Sequence, residues 1–254
     1  MHVSLENIVK SFDGVTVLSI DRWELQPGEV VGLVGSNGAG KTTFLRLVLD
    51  LLHPESGEVR IDGRSVSADL GWRARTGSYL DRSFLIEYLT VGEYCRFVGQ
   101  AFGMTPEESD RALQKFDRFL PASSDDRTKL IRDLSTGNAK KVGITAAMFV
   151  EPELLVLDEP FANLDPPSQI QLKDYLAEMA ARDDRTMIIS SHDLGHVTDV
   201  CPRISLIDHG TVVRDTRTSK DTLTELKSYF SARPVGAEVS GTDGAGSSAR
   251  PAGG

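Results

Sequence analysis

Eight residues, GSNGAGKT, run from Gly35 to Thr42. They fit the phosphate-loop spacing G-x-x-x-x-G-K-[ST]. Glycines let the backbone curl until its N–H groups converge on phosphate oxygens, and the following helix adds its positive N-terminal end. On this pattern Gly35, Ser36, Asn37, Gly38, Ala39, Gly40, Lys41, Thr42 and Thr43 form a triphosphate cradle. Lys41 can reach the β- and γ-phosphates, and the Thr42 hydroxyl can ligate Mg²⁺. A glycine-rich turn before an ordinary helix is the plain alternative. At average composition the pattern arises by chance in roughly 1% of chains this long. Here the apolar stretch EVVGLV precedes it and a helical pattern follows.

A second group is LLVLDEP, Leu154 to Pro160. An apolar strand delivers Asp158 and Glu159 at its C-terminal end, where ligand sites of α/β sheets lie. Asp158 can hold Mg²⁺, and Glu159 can orient or deprotonate an attacking water. A buried strand followed by a helix-capping acid would also read this way, but a phosphate loop in the same chain favours the chemical reading. A third stretch, LSTGNAKKVGI from Leu134 to Ile144, holds no usual nucleophile, metal ligand or acid–base pair. Ser135 is placed as a helix cap. The stretch either begins a helix and nothing more, or binds an anion at that helix start.

These groups need strands and helices to carry them. VSLENIV and VTVLSIDRWELQPGEVVGLVG are β-branched and broken by turns, which predicts several strands. The helix after Lys41 is apolar on one face through Leu52 and is expected to stop at His53-Pro54. GEVRIDG reads as a short strand between glycines. From about Leu89 to Val150 the pattern is helical, with Thr105-Pro106-Glu107-Glu108 as one helix start. Helix and strand then alternate through Phe230, which predicts a parallel sheet flanked by helices. From Ser231 the chain reads SARPVGAEVSGTDGAGSSARPAGG, too small and polar for a core, so disorder is expected there.

Composition narrows the class. The chain has 254 residues and a net charge of −9, which argues against a non-specific nucleic-acid binder. Cys95 and Cys201 suggest buried thiols rather than a disulfide framework. MHVSLENIVK lacks a signal-peptide core. No apolar run approaches the roughly 20 residues of a membrane helix. A cytoplasmic location is expected, with any membrane role supplied by a partner.

In order and spacing, the motifs resemble those of the nucleotide-binding subunit of an ABC transporter. The resemblance runs from about Val3 to Phe230. LSTGN, Leu134 to Asn138, stands in the place of the family's signature LSGGQ. PFANLDP, Pro160 to Pro166, matches the loop of the family aspartate, here Asp165. IISSHD, Ile188 to Asp193, matches the switch histidine, here His192, and Phe12 sits where the family stacks an aromatic ring on adenine. The resemblance implies an α/β fold: a P-loop NTPase core with a parallel sheet, an N-terminal antiparallel β subdomain and an inserted helical subdomain. It implies one ATPase domain over residues 1–230, with the helical insert at about 82–150, before a tail at 231–254. It also implies a head-to-tail homodimer around two Mg²⁺-ATP. In that dimer the Ser135 hydroxyl and the N–H groups around Gly137 cover the γ-phosphate of the opposite site. Lys41, Glu159 and His192 would be the catalytic set.

The sequence departs from the family at two places. The family's Mg²⁺-ligating glutamine is replaced by Asp81 in TGSYLDRSFLIEYLTV. A carboxylate can still ligate Mg²⁺, so the implied metal set is Thr42, Asp158 and Asp81; a solvated loop residue is the alternative. Thr136 and Asn138 replace a glycine and a glutamine of the signature, which predicts retuned turnover.

The expected function is the ATPase subunit of a transporter, peripheral on the inner membrane face, docked to a separate permease near Asp81–Tyr88. LIEYLTVGEY and LSTGNAKK resemble the ABC-2 export group. The rival is a soluble ABC-type ATPase, such as an iron–sulfur cluster assembly factor. A third reading is a regulatory module that binds ATP without hydrolysing it, against which Glu159 and His192 argue.

Overall fold

A computed structural model describes residues 1–121, 128–182, 184–219 and 221–231. Its centre is a sheet of six strands: β3 (Val30–Val34), β6 (Thr76–Tyr79), β7 (Leu154–Leu157), β8 (Thr186–Ser191), β9 (Arg203–Asp208) and β10 (Thr211–Arg217). Their spatial order is β10-β9-β3-β8-β7-β6. All neighbours are parallel except β9 and β10, which form an antiparallel hairpin. The central strands are apolar throughout because both faces are covered, as parallel sheets require. The pleat divides each strand between two cores. Val30 and Val34 of β3, Leu155 and Leu157 of β7, and Met187 and Ile189 of β8 face one core. Val31 and Leu33, Leu154 and Val156, and Ile188 face the other.

The second core is closed by an antiparallel sheet of β1 (Val3–Phe12), β2 (Val15–Leu25), β4 (Ser56–Ile61) and β5 (Arg64–Ser65), in the order β2-β1-β4-β5. Helix α1 (Lys41–Val48) lies within this core through Phe44, Leu45, Leu47 and Val48. Trp23 meets Phe44 edge-on at 4.9 Å and donates its indole N–H to the Ser205 hydroxyl at 2.9 Å. Each such side chain contributes about 1.5–3 kcal/mol through burial.

Between β6 and β7 lie α2 (Val91–Ala101), α3 (Pro106–Gln114) and α4 (Thr136–Met148). Helix α3 begins at the predicted Thr105 cap, where Thr105 and Glu108 form a reciprocal capping box. Ser135 caps α4 as expected, accepting the Asn138 N–H at 3.2 Å. Helices α5 (Pro166–Ala180), α6 (Leu194–Val200) and α7 (Thr222–Ser231) complete the chain as described. Cys95 and Cys201 are free and buried. Burial pushes the Cys95 thiol up to about 12 and that of Cys201 higher still.

Two expectations need correction or limits. Helix α1 ends at Val48, four positions before Leu52. Asp50 takes a left-handed φ of 54°, so its N–H returns to Leu47 O at 3.1 Å and the Leu51 N–H to Arg46 O at 2.8 Å. This double reversal is a helix-stop motif usually built on glycine, and an apolar pattern does not reveal it. The expected disordered tail lies outside the described residues except for Ser231, which closes α7.

Sheet and helix backbones meet closely at Gly77 on β6. A Cβ there would lie 2.0 Å from the Ala147 carbonyl oxygen of α4. Backbone cannot move aside cheaply, so Gly77→Ala is expected to cost about 1–3 kcal/mol. Thermal unfolding checks this; an unchanged midpoint would show that α4 and β6 do not pack as described.

Candidate active site

Because β3, β7 and β8 run parallel, their C-terminal ends share one edge. Val34 of β3 leads into the phosphate loop, Leu157 of β7 into Asp158 and Glu159, and Ser191 of β8 into His192. The loop is compact. Gly35 lies so close to β9 that a Cβ would stand 2.4 Å from Ile207 O. Gly40, with φ of 107°, leans on Leu18 and Val17 of β2. Gly38, with φ of 81°, has nothing within 4 Å of a would-be Cβ, so the face of the loop is open.

Lys41 is 6% exposed, and its ammonium donates to Gly35 O at 2.8 Å and Ser36 O at 3.2 Å. Its third contact is Glu159 Oε1 at 3.2 Å. The Thr42 hydroxyl donates to Asp158 Oδ2 at 2.6 Å. The other oxygen of Asp158 accepts the hydroxyl proton of buried Ser190. His192 Nδ1 lies 2.8 Å from Glu159 Oε2. The structure therefore gathers Lys41, Thr42, Asp158, Glu159 and His192 into one cluster, although Thr42 and Asp158 are 116 positions apart.

Glu159 has the left-handed φ of 46°. That conformation costs a non-glycine residue on the order of 1–3 kcal/mol and persists only where its surroundings hold it. Here the Glu159 N–H donates to Ser190 Oγ at 2.8 Å, and its carbonyl accepts from the Lys140 ammonium at 2.6 Å. Lys140 also donates to Ala162 O at 2.8 Å. Burial pushes the Lys140 ammonium down to about 8, opposed by the attraction of Glu159 and Asp158.

The remaining predicted residues sit around this cluster. Asp81 follows β6 at the same sheet edge, two residues after Tyr79, whose carbonyl accepts the Asp158 N–H at 2.9 Å. Its carboxylate accepts the Ser83 N–H at 2.7 Å and faces Arg46 at 3.6 Å. Asp165 caps α5 by accepting the Ser168 N–H at 3.4 Å, also accepts the Ser168 hydroxyl at 2.6 Å, and pairs with Lys141 at 3.2 Å. The Ser168 hydrogen bond, aided by Lys141 and opposed by burial, holds its carboxyl down to about 2. Phe12 is half exposed at the end of β1, with the Lys10 ammonium 5.2 Å from its ring centre. Ser135 and Gly137 start α4; a Cβ on Gly137 would stand 3.0 Å from Asn163 O. Among the described residues, neither makes a hydrogen bond or ion pair with the Lys41 cluster.

Ser190 and Lys140 were not foreseen. Serine in a buried strand carries little signal. Lys140 does carry one: it lies among the buried Ala139, Val142, Gly143, Ile144 and Ala146 of α4, where a lysine requires buried acceptors.

The donor set suits a hard divalent cation. A hydroxyl and a carboxylate converge, and the described residues hold no group of three or more His, Cys, Asp or Glu that could enclose a metal. Mg²⁺ is commonly held in this way, by one or two carboxylates together with substrate phosphates.

The family model for ABC transporters matches residues 18–162. The chain belongs to the ABC transporter family. Within it the chain is an ATP-binding subunit carrying the family's ATPase domain. The bacitracin transport ATP-binding protein of Enterococcus faecalis is 28% identical over 220 residues, 86% of this chain and 70% of that protein. The methionine import ATP-binding protein of Carboxydothermus hydrogenoformans is 30% identical over 212 residues, 82% of this chain and 61% of that protein. A dimeric post-hydrolysis state of an ATP-binding cassette bound to ADP and Pi shares the fold. Its TM-score is 0.76 at 23% identity, covering 85% of this chain and 99% of that one. The P-loop core, antiparallel sheet and helical insertion expected of an ABC transporter cassette are thus present.

On the phosphate-loop reading Lys41 would hold the nucleotide's charge. Its replacement by alanine removes hydrogen bonds to a charged acceptor, about 1.5–3 kcal/mol each. Lys41→Ala is expected to weaken ATP binding roughly 10–100-fold in a nucleotide titration. Unchanged affinity would remove Lys41 from the phosphate loop's role.

Proposed function

We propose that this subunit binds Mg²⁺-ATP in its phosphate loop, pairs head to tail with a second copy, and hydrolyses the nucleotide to drive a separate membrane permease. The observation that carries this is the convergence of Lys41, Thr42, Asp158, Glu159 and His192 at one sheet edge. Lys41 and the loop N–H groups would hold the β- and γ-phosphates. Thr42 and Asp158 would hold Mg²⁺, which when bound neutralises charge on the triphosphate oxygens. Glu159 takes a proton from water as its oxygen bonds to the γ-phosphorus and the bond to the β-phosphate oxygen breaks. His192, donating from Nδ1, fixes the carboxylate's direction. Phe12 would present its ring to the adenine.

Ser135 and Gly137 begin α4 with N–H groups that favour an anion. In a head-to-tail pair they would cover the γ-phosphate held by the partner copy, with Asp165 nearby across the interface. For the permease, a surface groove of about 450 Å³ runs between Asp50, Leu51, Trp72, Tyr79 and Phe84. Exposed Leu51, Phe84, Ile86 and Tyr88 make this region apolar, which supports a docking partner at the inner membrane face. No helix among the described residues is long and apolar enough to cross a membrane. The export assignment stands on the resemblance of LIEYLTVGEY and LSTGNAKK alone, and the relatives include one named for import, so direction is assigned to the permease.

Gly137→Asp places a carboxylate where the partner's γ-phosphate would sit. In a Glu159→Gln background, which should itself lose about 10²–10⁴-fold in turnover, the variant is expected to bind ATP as a monomer yet fail to dimerise. Nucleotide titration beside sedimentation measures both. ATP-driven dimerisation of Gly137→Asp would sink the shared-site reading, and near-normal turnover of Glu159→Gln would remove the base.

Asp81 is proposed for the edge of the Mg²⁺ shell. Asp81→Ala should then raise the Mg²⁺ concentration for half-maximal hydrolysis. An unmoved Mg²⁺ curve would leave Asp81 as the cap of its own turn and the partner of Arg46.

A further inference from the structure

Glu159 is held at both ends of its peptide by side chains. Ser190 of β8 accepts its N–H, and Lys140 of α4 donates to its carbonyl. Lys140 reaches three residues further to Ala162 O, so one ammonium spans the first turn of the loop from Glu159 to Asp165. Lys140 is 8% exposed. A lysine at that depth gives up its hydration, and an apolar residue would fill the same space at lower cost. Its two carbonyl contacts are short and charge-assisted, and they bear directly on a residue in a strained conformation. Lys140 also lies on α4, the helix that Ser135 caps and Gly137 opens, so together with the Lys141–Asp165 pair it ties the helix start to the base loop of the same chain.

We propose that Lys140 is a positioning residue for hydrolysis: it holds Glu159 in its left-handed turn and aims the carboxylate, without touching nucleotide. This rests on the assignment of Glu159 as base. Removing the ammonium frees the 159–162 turn and lets Glu159 relax to negative φ, which redirects its carboxylate. The phosphate loop, where Lys41 and Thr42 bind, is left intact. The loss therefore falls on kcat and spares KM.

The experiment measures kcat, KM for ATP and the thermal midpoint of the full chain carrying Lys140→Met or Lys140→Arg. Val59→Ala on β4, in the core under the antiparallel sheet, serves as a destabilised control on a different element from Lys140 and Glu159. Lys140→Met is expected to lower kcat at least tenfold while KM changes less than twofold. Lys140→Arg, which keeps a cation and several donors, should retain at least a third of the wild-type kcat. A kcat loss in Lys140→Met no larger than in a Val59→Ala protein of equal midpoint would overturn the proposal, because stability alone would explain it. Equal losses in the Met and Arg variants would also overturn it, since neither charge nor donors would then matter. Glu159→Gln separates the two assignments. If that variant turns over normally, the base assignment fails; if it is dead while Lys140→Met is normal, only the positioning role fails.

Discussion

Parallel strands bring distant parts of a chain together only at matching ends, and this site depends on that constraint. β3, β8 and β7 lie side by side in one direction, so the phosphate loop, the Asp158–Glu159 pair and His192 leave the sheet at the same edge. Reversing any one strand would send its group to the far side, a displacement of about 3.3 Å per residue of strand. The two-faced apolar character of these strands is the cost of the arrangement, since both cores must be filled to hold them. The antiparallel sheet contributes beyond covering one face. Its strand β2 presses on Gly40, and in the β9–β10 turn of the central sheet the Gly210 N–H donates to the Ala39 carbonyl at 3.0 Å. The loop's curvature is thus braced from outside.

The polar interior of the site is arranged by similar economy. Asp158 turns one oxygen to Thr42 and the other to Ser190. Glu159 turns one oxygen to Lys41 and the other to His192. Neighbouring carboxylates with separate partners repel less than two sharing one, and each keeps a fixed direction. This is preorganisation in its plain sense: orientation is settled during folding, before any substrate arrives.

Much of this was legible in the chain. GSNGAGKT, LLVLDEP and IISSHD could be read because phosphate and metal chemistry demand particular residue types in a short local order. Thr105 and Ser135 could be read as caps because a cap is satisfied within one turn. The end of α1 could not, since it depends on Asp50 adopting a left-handed backbone that residue type only permits. Ser190 and Lys140 escaped because their partners are backbone groups 31 and 19 positions away. A carbonyl has no identity in sequence. Asp81 stands between these cases: its place at the sheet edge followed from the resemblance, while its contacts with Ser83 and Arg46 did not.

The anchors of Glu159 also set when the site comes into being. Lys140 is 19 positions away, Ser190 is 31 and His192 is 33, while Lys41 lies near the other end of the domain. Closing such loops costs chain entropy that only later contacts repay, so long-range pairings form late. The phosphate loop and α1 are local and can form early. A chain still emerging from synthesis, or one with β8 undocked, has the parts of a nucleotide cradle but no aimed carboxylate. On the proposed role of Glu159 as base, hydrolysis would then wait until β8 has docked.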